Sequence, residues 1–194
     1  MNKFTGNSLL YIEKLTEVFN RLDHVNIDNA VSLIDEAWQK GQQIITLGNG
    51  GSSLTALHFI NDWNKSIFLE GGKPFRGRSL VDNVGLIMSY ANDISFQDVF
   101  AEQLKNILMP GDLVIAISGS GNSENVIRAV EYANNNGAIT LGLCGYRGGK
   151  LKDIAQHHVW VDVDNMQYSE DVHSIFGHIV MQSLCGRACR PRQE

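Results

Sequence analysis

The stretch that decides the fold is Leu113-Val114-Ile115-Ala116-Ile117-Ser118-Gly119-Ser120-Gly121-Asn122-Ser123. Its first five residues form a continuous apolar run, which is typical of a strand buried on both faces of a sheet. Its last six residues are small or polar, and they predict a loop. Apolar residues then recur at helical spacing at Val126, Ala129, Val130 and Ala133. The whole stretch therefore predicts a strand, a loop and a helix in succession.

The same arrangement occurs earlier in the chain. A β-branched run at 44–47 ends in the Gly/Ser-rich segment 48–53, and a helical pattern follows it. Alternation of short buried strands with helices is typical of a parallel sheet covered by helices on both faces. We predict further strands at 138–143 and 158–163, a short helix at 149–156 and a last helix at 169–187.

The remaining segments complete a single predicted domain over residues 1–194. Apolar residues at three- and four-residue steps predict helices up to Gly41, and residues 1–41 form a helical N-terminal arm. Residues 70–78, with three glycines and one proline, predict a loose connection. The predicted fold class is α/β, a three-layer sandwich with a central parallel sheet.

The composition favours an ordinary folded protein. Of 194 residues, 43% are hydrophobic and 19% are charged, which argues against disorder and coiled coil. The formal net charge of −5 argues against nucleic-acid binding, because nucleic-acid binders carry a basic surface. The C-terminal Arg187, Arg190 and Arg192 are interpreted as a solvated tail.

Three cysteines, Cys144, Cys185 and Cys189, show no metal-binding spacing and are interpreted as reduced thiols. The N-terminus shows no signal-peptide pattern, and no apolar stretch approaches the roughly 18 residues of a spanning helix. We therefore expect a cytoplasmic protein without a membrane partner.

Two interpretations are open for the first Gly-rich loop. Gly48-x-Gly50-x-x-Ser53 resembles a dinucleotide fingerprint without its third glycine, and Glu70 follows at the distance of a ribose-binding acid. A tight turn that needs glycine at positive φ is the alternative.

The second loop favours phosphate. Ser118, Ser120 and Ser123 place three hydroxyls between a strand and a helix N-terminus. Hydroxyls and backbone N–H groups at such a position can surround a phosphate monoester with donors. A polar turn with Asn122 as the helix N-cap is the alternative interpretation.

Together these motifs resemble the sugar isomerase (SIS) domain, and their order is similar to that of the phosphoheptose isomerases. The resemblance covers essentially the whole chain. It is carried by residues 48–52, 58–59, 91–93, 110–112, 117–123, 148–151, 172–173 and 177–178.

This resemblance implies a flavodoxin-like sandwich in a homotetramer, with active sites at subunit interfaces. It also implies conversion of sedoheptulose 7-phosphate to heptose 7-phosphate, an early step towards the ADP- or GDP-heptose of bacterial surface polysaccharides. The substrate's phosphate would lie against Ser118, Gly119, Ser120 and Ser123. The sugar would be bound by Asn49, Gly50, Gly51, Ser52, Asn92, Asp93 and Glu170.

The family also implies a possible Zn²⁺ site at His58, Asp62, Glu170 and His178. Both histidines match the family pattern, but Asp62 stands where the family has Glu and Glu170 where it has Gln. We predict that Glu170 takes part of the base or metal-ligand role that the shorter Asp62 cannot fill, with His178 as the acid. Catalytic candidates are therefore Asp62, Glu170 and His178.

The residue spacing agrees with a shared site. His58 and Asp62 lie one turn apart on one helix face, and Glu170 and His178 differ by about 80° of helix rotation. Asp62 pairing with a nearby Lys or with His58 is the structural alternative. Gly177 weakens its helix and indicates a close approach. For His173, a packing role and a site role are both open.

Two further functions remain as alternatives. A branch of the same family binds the bacterial replication initiator without catalysis, but that branch lacks the last-helix histidine matched by His178. An isomerase acting on a related phosphosugar is the other alternative.

Overall fold

Five parallel strands form the central sheet of the computed structural model, which describes residues 3–186. Their order across the sheet is second, first, third, fourth and fifth along the chain, as in flavodoxin-like folds. The predicted fold class is confirmed. The strands are β1 (Ile44–Gly48), β2 (Gly77–Ser79), β3 (Leu113–Ser118), β4 (Ile139–Cys144) and β5 (His157–Trp160).

Helices cover the sheet. A π-helical turn, Trp63–Ile67, continues the third helix, and a 3₁₀ turn, Phe96–Asp98, precedes the sixth. The α-helices are α1 (Asn7–Asn20), α2 (His24–Gln39), α3 (Gly51–Asp62), α4 (Phe68–Gly71), α5 (Val84–Asp93), α6 (Val99–Ile107), α7 (Glu124–Asn135), α8 (Gly149–Ile154) and α9 (Met166–Leu184).

The sheet register brings the two loops of interest side by side. β1 and β3 are neighbours, and Gly48 at the end of β1 is paired with Ile117 near the end of β3. Every residue of these two strands is buried, as their continuous apolar runs predict. Because parallel strands end at one edge of a sheet, the loops after β1 and β3 both leave at that edge. The order in which the strands are added to the sheet reverses between β1 and β3, and open α/β sheets bind ligands at such a reversal.

Some boundaries differ from the prediction. β2 lies at the sheet edge within and just beyond the segment 70–78, which we predicted to be a loose connection. Its three residues include the exposed Arg78, so no apolar run marked it. β5 ends at Trp160 instead of residue 163, and α9 begins at Met166, three residues early, capped by Asn165. Glu70 lies in helix α4, so the expectation of a ribose-binding acid after a strand is not met.

The N-terminal arm is helical as predicted. α2 packs on the sheet through Ile27, Ala30 and Ile34, whereas α1 exposes a row of apolar side chains that begins near Leu9. No helix of residues 3–186 is both long and apolar enough to span a membrane. The predicted arginine tail and Cys189 lie outside the described residues.

Candidate active site

The first loop turns sharply at two glycines. Gly48 lies so close to β3 that a Cβ there would approach the carbonyl oxygen of Ile117 to 2.9 Å. Gly50 has φ of 54°, a conformation that L side chains rarely adopt, and α3 begins at the next residue. The loop therefore needs both glycines, and it points the N-terminus of α3 along the sheet edge.

The second loop gathers its hydroxyls. The Oγ atoms of Ser118 and Ser123 lie 3.3 Å apart, and the N–H of Gly121 donates to Ser118 Oγ. Ser123 is the N-cap residue of α7, yet its side chain makes no capping hydrogen bond. The alternative with Asn122 as N-cap is wrong, because the Asn122 carboxamide oxygen accepts from the Lys150 backbone N–H instead.

The two loops enclose one cavity of about 270 Å³. An amide pair joins them: Asn49 Nδ2 donates to Asn125 Oδ1 at 2.8 Å, and Asn125 Nδ2 donates to Asn49 Oδ1 at 3.0 Å. The structure thus brings together most of the predicted substrate-binding residues. The cavity is lined by Asn49, Gly50, Gly51, Ser52, Ile117, Ser118, Gly119, Ser120, Ser123, Met166 and Glu170.

Sequence reasoning missed two residues here. Asn125 is buried and holds the first loop, and Met166 closes the cavity from the start of α9. A Cβ on Gly119 would lie 2.5 Å from the Met166 sulfur, so the side chain of α9's first residue packs directly on this loop glycine. Neither residue belongs to a motif, although a polar side chain at a helix start such as Asn125 is a usable signal.

A second cluster lies between α3 and α9. His58 Nε2 is 2.9 Å from His178 Nε2, and Asp62 Oδ2 is 3.5 Å from the first and 3.8 Å from the second. All three side chains keep some exposure, from 24% for Asp62 to 48% for His178. The predicted pairing of Asp62 with a histidine is present in this cluster, so both interpretations of Asp62 remain open.

Tight helix packing builds that cluster. A Cβ on Gly177 would lie 2.2 Å from Phe59, so the close approach that this glycine indicated is that of α3. The Gly177 carbonyl accepts from Trp63 Nε1–H at 2.9 Å, just where α3 passes into its π-helical turn. Phe59 and Trp63 stack at 4.7 Å between ring centroids. Residues adjacent to this contact, His58 and His178, are thereby held next to each other, with their rings nearly perpendicular.

The cluster suits a zinc ion. One ligand atom from each of His58, Asp62 and His178 lies within 4.8 Å of the others. Tetrahedral Zn²⁺ with bonds of about 2.0–2.1 Å holds its ligand atoms roughly 3.3 Å apart, close to the distances given above. Two imidazoles and a carboxylate with a fourth position open is also the donor set of catalytic zinc sites.

Glu170 lies elsewhere. It does not belong to the group of His58, Asp62 and His178, and its carboxylate faces the first loop. A Cβ on Gly51 would lie 2.6 Å from Glu170 Oε1. Next to it, Asp171 accepts a 2.7 Å hydrogen bond from Tyr11 Oη, and this bond raises the pKa of Tyr11 to about 12. The shared metal role of Glu170 stays a prediction.

Asn92 and Asp93 are at the end of α5, where Asn92 Nδ2 donates to Asp93 Oδ1 at 2.8 Å. Both are exposed, and neither lines the cavity between the loops. Their predicted sugar contacts are therefore not assembled by the described residues of one chain.

Two buried groups have a packing role. His173 is 1% exposed, and burial lowers its pKa to about 4, while the nearby Cys144 backbone opposes only part of this shift. Neither ring nitrogen finds a partner in hydrogen-bond geometry among the described residues. Cys144 is a free thiol, and burial raises its pKa to about 12, as expected for a reduced core cysteine.

Fold and loops together define a class of protein. The sequence pattern described as "SIS domain" matches residues 10–145, well over half of the chain. The chain therefore belongs to the SIS domain family.

Relatives narrow this further. The chain is 34% identical over 160 residues to a probable phosphoheptose isomerase of Thermoplasma acidophilum, covering 81% of this chain and 87% of that protein. Solved phosphoheptose isomerases from Neisseria gonorrhoeae and Francisella tularensis superpose with TM-scores of 0.84 and 0.84. They are 23% and 25% identical, and the matches cover 94% and 93% of this chain and 98% and 96% of theirs. Within the SIS domain family, the chain belongs to the phosphoheptose isomerases.

Proposed function

We propose that the protein interconverts sedoheptulose 7-phosphate and D-glycero-D-manno-heptose 7-phosphate in heptose precursor biosynthesis. The observation that supports this is the presence of two unlike sites, both of which are lined by α3 and α9. Serine hydroxyls and helix N-termini suit a phosphate at one site. Two histidines and a carboxylate suit proton transfer and metal binding at the other.

The reaction needs one base and one acid. The base removes a proton from C1 of the ketose, and the acid protonates the oxygen on C2, which gives a cis-enediol. Return of a proton to C2 and loss of the proton on O1 then produce the aldehyde, so no atom is gained or lost. We assign the acid to His178, and the base to Glu170 and Asp62 together.

A zinc ion at His58, Asp62 and His178 would supply Lewis-acid polarisation of the substrate oxygens in place of proton donation by His178, whose imidazole would then hold the metal. The chain's own groups do the remaining work. Ser118, Ser120 and Ser123 hold the phosphate, and Glu170 lines the same cavity next to Gly51 at the start of α3.

We further propose a homotetramer in which a partner completes the site. α5 exposes Val84, Met88 and the flanking Ile94, each more than half exposed, close to Asn92 and Asp93. Apolar side chains that water would otherwise cover favour burial in an interface. Packing of α5 against a second copy would carry its Asn92 and Asp93 to a neighbouring cavity.

The test is a proton NMR assay with sedoheptulose 7-phosphate, with and without added Zn²⁺. We expect an aldose signal in the presence of the protein. Ser120→Ala should raise KM about tenfold through loss of a charge-assisted hydrogen bond. Ser32→Ala, which removes a hydroxyl bonded within α2, serves as the control and should leave KM unchanged. Absence of aldose under both metal conditions contradicts the assignment.

A further inference from the structure

A second cavity adjoins the phosphate loop. It measures about 450 Å³ and is lined by the turn between β4 and α8 and by Asp164. Ser120 and Met166 line both this cavity and the one between the Gly/Ser loops, so the two cavities are neighbours on either side of these residues. We call it the outer cavity.

The outer cavity lies apart from the proposed path of the sugar. No residue of α3 lines it, whereas His58 and Asp62 are on α3. A phosphosugar that extends from the phosphate loop towards those residues leaves the outer cavity vacant. Space beyond the phosphate therefore suits a ligand whose phosphate continues into a further group.

Arg147 supplies a positive charge there. Its side chain is exposed at the wall of the outer cavity, and within residues 3–186 it makes no hydrogen bond or ion pair. Asp164 lines the same cavity without pairing with it. An unpaired guanidinium next to a phosphate loop is suited to a second phosphate group, which it can bind in bidentate fashion.

Tyr146 and Asp164 complete the wall. Tyr146 has φ of 44°, and among the described residues it alone combines a side chain with positive φ. Its carbonyl accepts from Trp160 Nε1–H at 3.0 Å, which holds this strained turn in place. An aromatic ring can stack on a base, and a carboxylate can accept hydrogen bonds from the hydroxyls of a ribose.

We propose that the outer cavity binds a nucleoside diphosphate whose terminal phosphate lies in the Ser118–Ser123 loop. The inner phosphate contacts Arg147, the ribose contacts Asp164 and the base packs on Tyr146. The proposal rests on the assignment of that loop to phosphate. A bound nucleotide occupies the loop that holds the sugar phosphate, so it inhibits the isomerase competitively.

The two cavities are mechanically linked. A Cβ on Gly121 would lie 1.9 Å from the Gly148 carbonyl oxygen, and the Leu151 N–H donates to the Gly121 carbonyl at 2.9 Å. Because this backbone contact is so close, the turn that carries Arg147 has a fixed position relative to the phosphate loop. A diphosphate can therefore be held by both at once.

The test uses calorimetric titration of the full chain with ADP, AMP and ADP-glucose. We expect ADP to bind about tenfold more tightly than AMP, because its second phosphate adds a charge-assisted contact. Arg147→Gln should abolish that difference, and Arg21→Gln, a matched change of an exposed arginine at the end of α1, should preserve it. ADP-glucose should bind more weakly than ADP, since its terminal phosphate is esterified.

Several results overturn the proposal: no binding of ADP, an unchanged ADP/AMP ratio in Arg147→Gln, or equal binding of ADP-glucose. These outcomes are separable from the enzymatic assignment. Aldose formation without ADP binding refutes this inference alone. ADP binding with the expected Arg147 dependence but without aldose formation refutes the isomerase assignment alone.

Discussion

At the scale of single residues, the two carboxylates of the site are not equivalent. Asp62 lies within a zinc ion's reach of two histidines, and Glu170 faces the cavity of the substrate loops. A carboxylate one methylene shorter than glutamate reaches less far towards a substrate, but it can still bind a metal. We therefore expect metal binding to depend on Asp62 and proton abstraction to depend mainly on Glu170.

Asp62→Asn should lower both bound zinc and turnover. Glu170→Gln should lower kcat by about a hundredfold, the usual contribution of a general base, and leave the zinc content near that of the native protein. Turnover by NMR and metal content by atomic emission measure the two effects. Glu36→Gln, an exposed change on α2, is the control. Full activity in Glu170→Gln, with activity and metal both lost in Asp62→Asn, would show that Glu170 has no share in the chemistry.

His173 predicts a pH dependence of stability. Its pKa is lowered by burial from 6.5 to about 4, so the unfolded chain binds a proton at higher pH than the native chain does. The free energy of unfolding is therefore unaffected by the titration of His173 above pH 6.5. It falls as the pH drops from 6.5 towards 4, by about 3 kcal/mol in total.

Denaturant titrations at several pH values test this dependence, with His173→Leu as the comparison. The leucine variant keeps the volume, removes two unpartnered nitrogens and should show a flatter profile between pH 6.5 and 4. Parallel loss of stability in both proteins would assign the effect to other groups.

At the scale of elements, the phosphate loop and the turn before α8 make a close backbone contact at Gly121, so this position should tolerate no side chain. A side chain there meets both a positive φ of 66° and the Gly148 carbonyl. We expect Gly121→Ala to destabilise the fold by more than the 1–2 kcal/mol that left-handed backbone costs by itself, and to raise KM for the phosphosugar. Gly41→Ala is the matched control, because Gly41 has φ of 69° and nothing within 4 Å of its Cβ position.

Thermal denaturation and steady-state kinetics measure these effects. Equal destabilisation of the two variants would mean that the loops relax away from each other without cost.

The elements also show what a sequence can predict. Buried strands such as β3 are marked by continuous apolar runs, and the loops after β1 and β3 are marked by Gly and Ser. β2 is not marked, because a three-residue edge strand needs no apolar run. Met166 reaches the site through tertiary packing, which no local spacing encodes, whereas Asn125 directly follows the second loop at the start of α7 and could have been found there. The separation of Glu170 from His178 follows from their eight-residue spacing on α9, because a helix rises about 12 Å over that distance, whereas the comparison of rotation angles ignores this rise.

At the scale of the whole molecule, α1 leaves apolar side chains exposed to solvent in the single chain. Leu9, Leu10 and Ile12 are each more than half exposed, and α1 is anchored to α9 by Tyr11. We expect Leu9→Glu to shift the protein to smaller assemblies and to reduce turnover, if partners complete the site as proposed. Light scattering after gel filtration measures the mass.

Met109→Glu is the matched control. Leu9 and Met109 are both 61% exposed, but Met109 lies before β3, at the sheet edge opposite the substrate loops. An unchanged mass in Leu9→Glu would place the interface elsewhere.

Helix α9 has a consequence for which sugars can react. Met166 and Glu170 in its first turns line the phosphate cavity, and His178 lies eight residues beyond Glu170, about 12 Å along the axis. The phosphate loop lies against one end of this rigid helix and the acid lies further along it, so α9 acts as a ruler. A phosphosugar two carbons shorter, held by the same serines, would stop before its carbonyl reached His178. Chain length, rather than the stereochemistry of each hydroxyl, then becomes the first property by which this protein sorts its substrates.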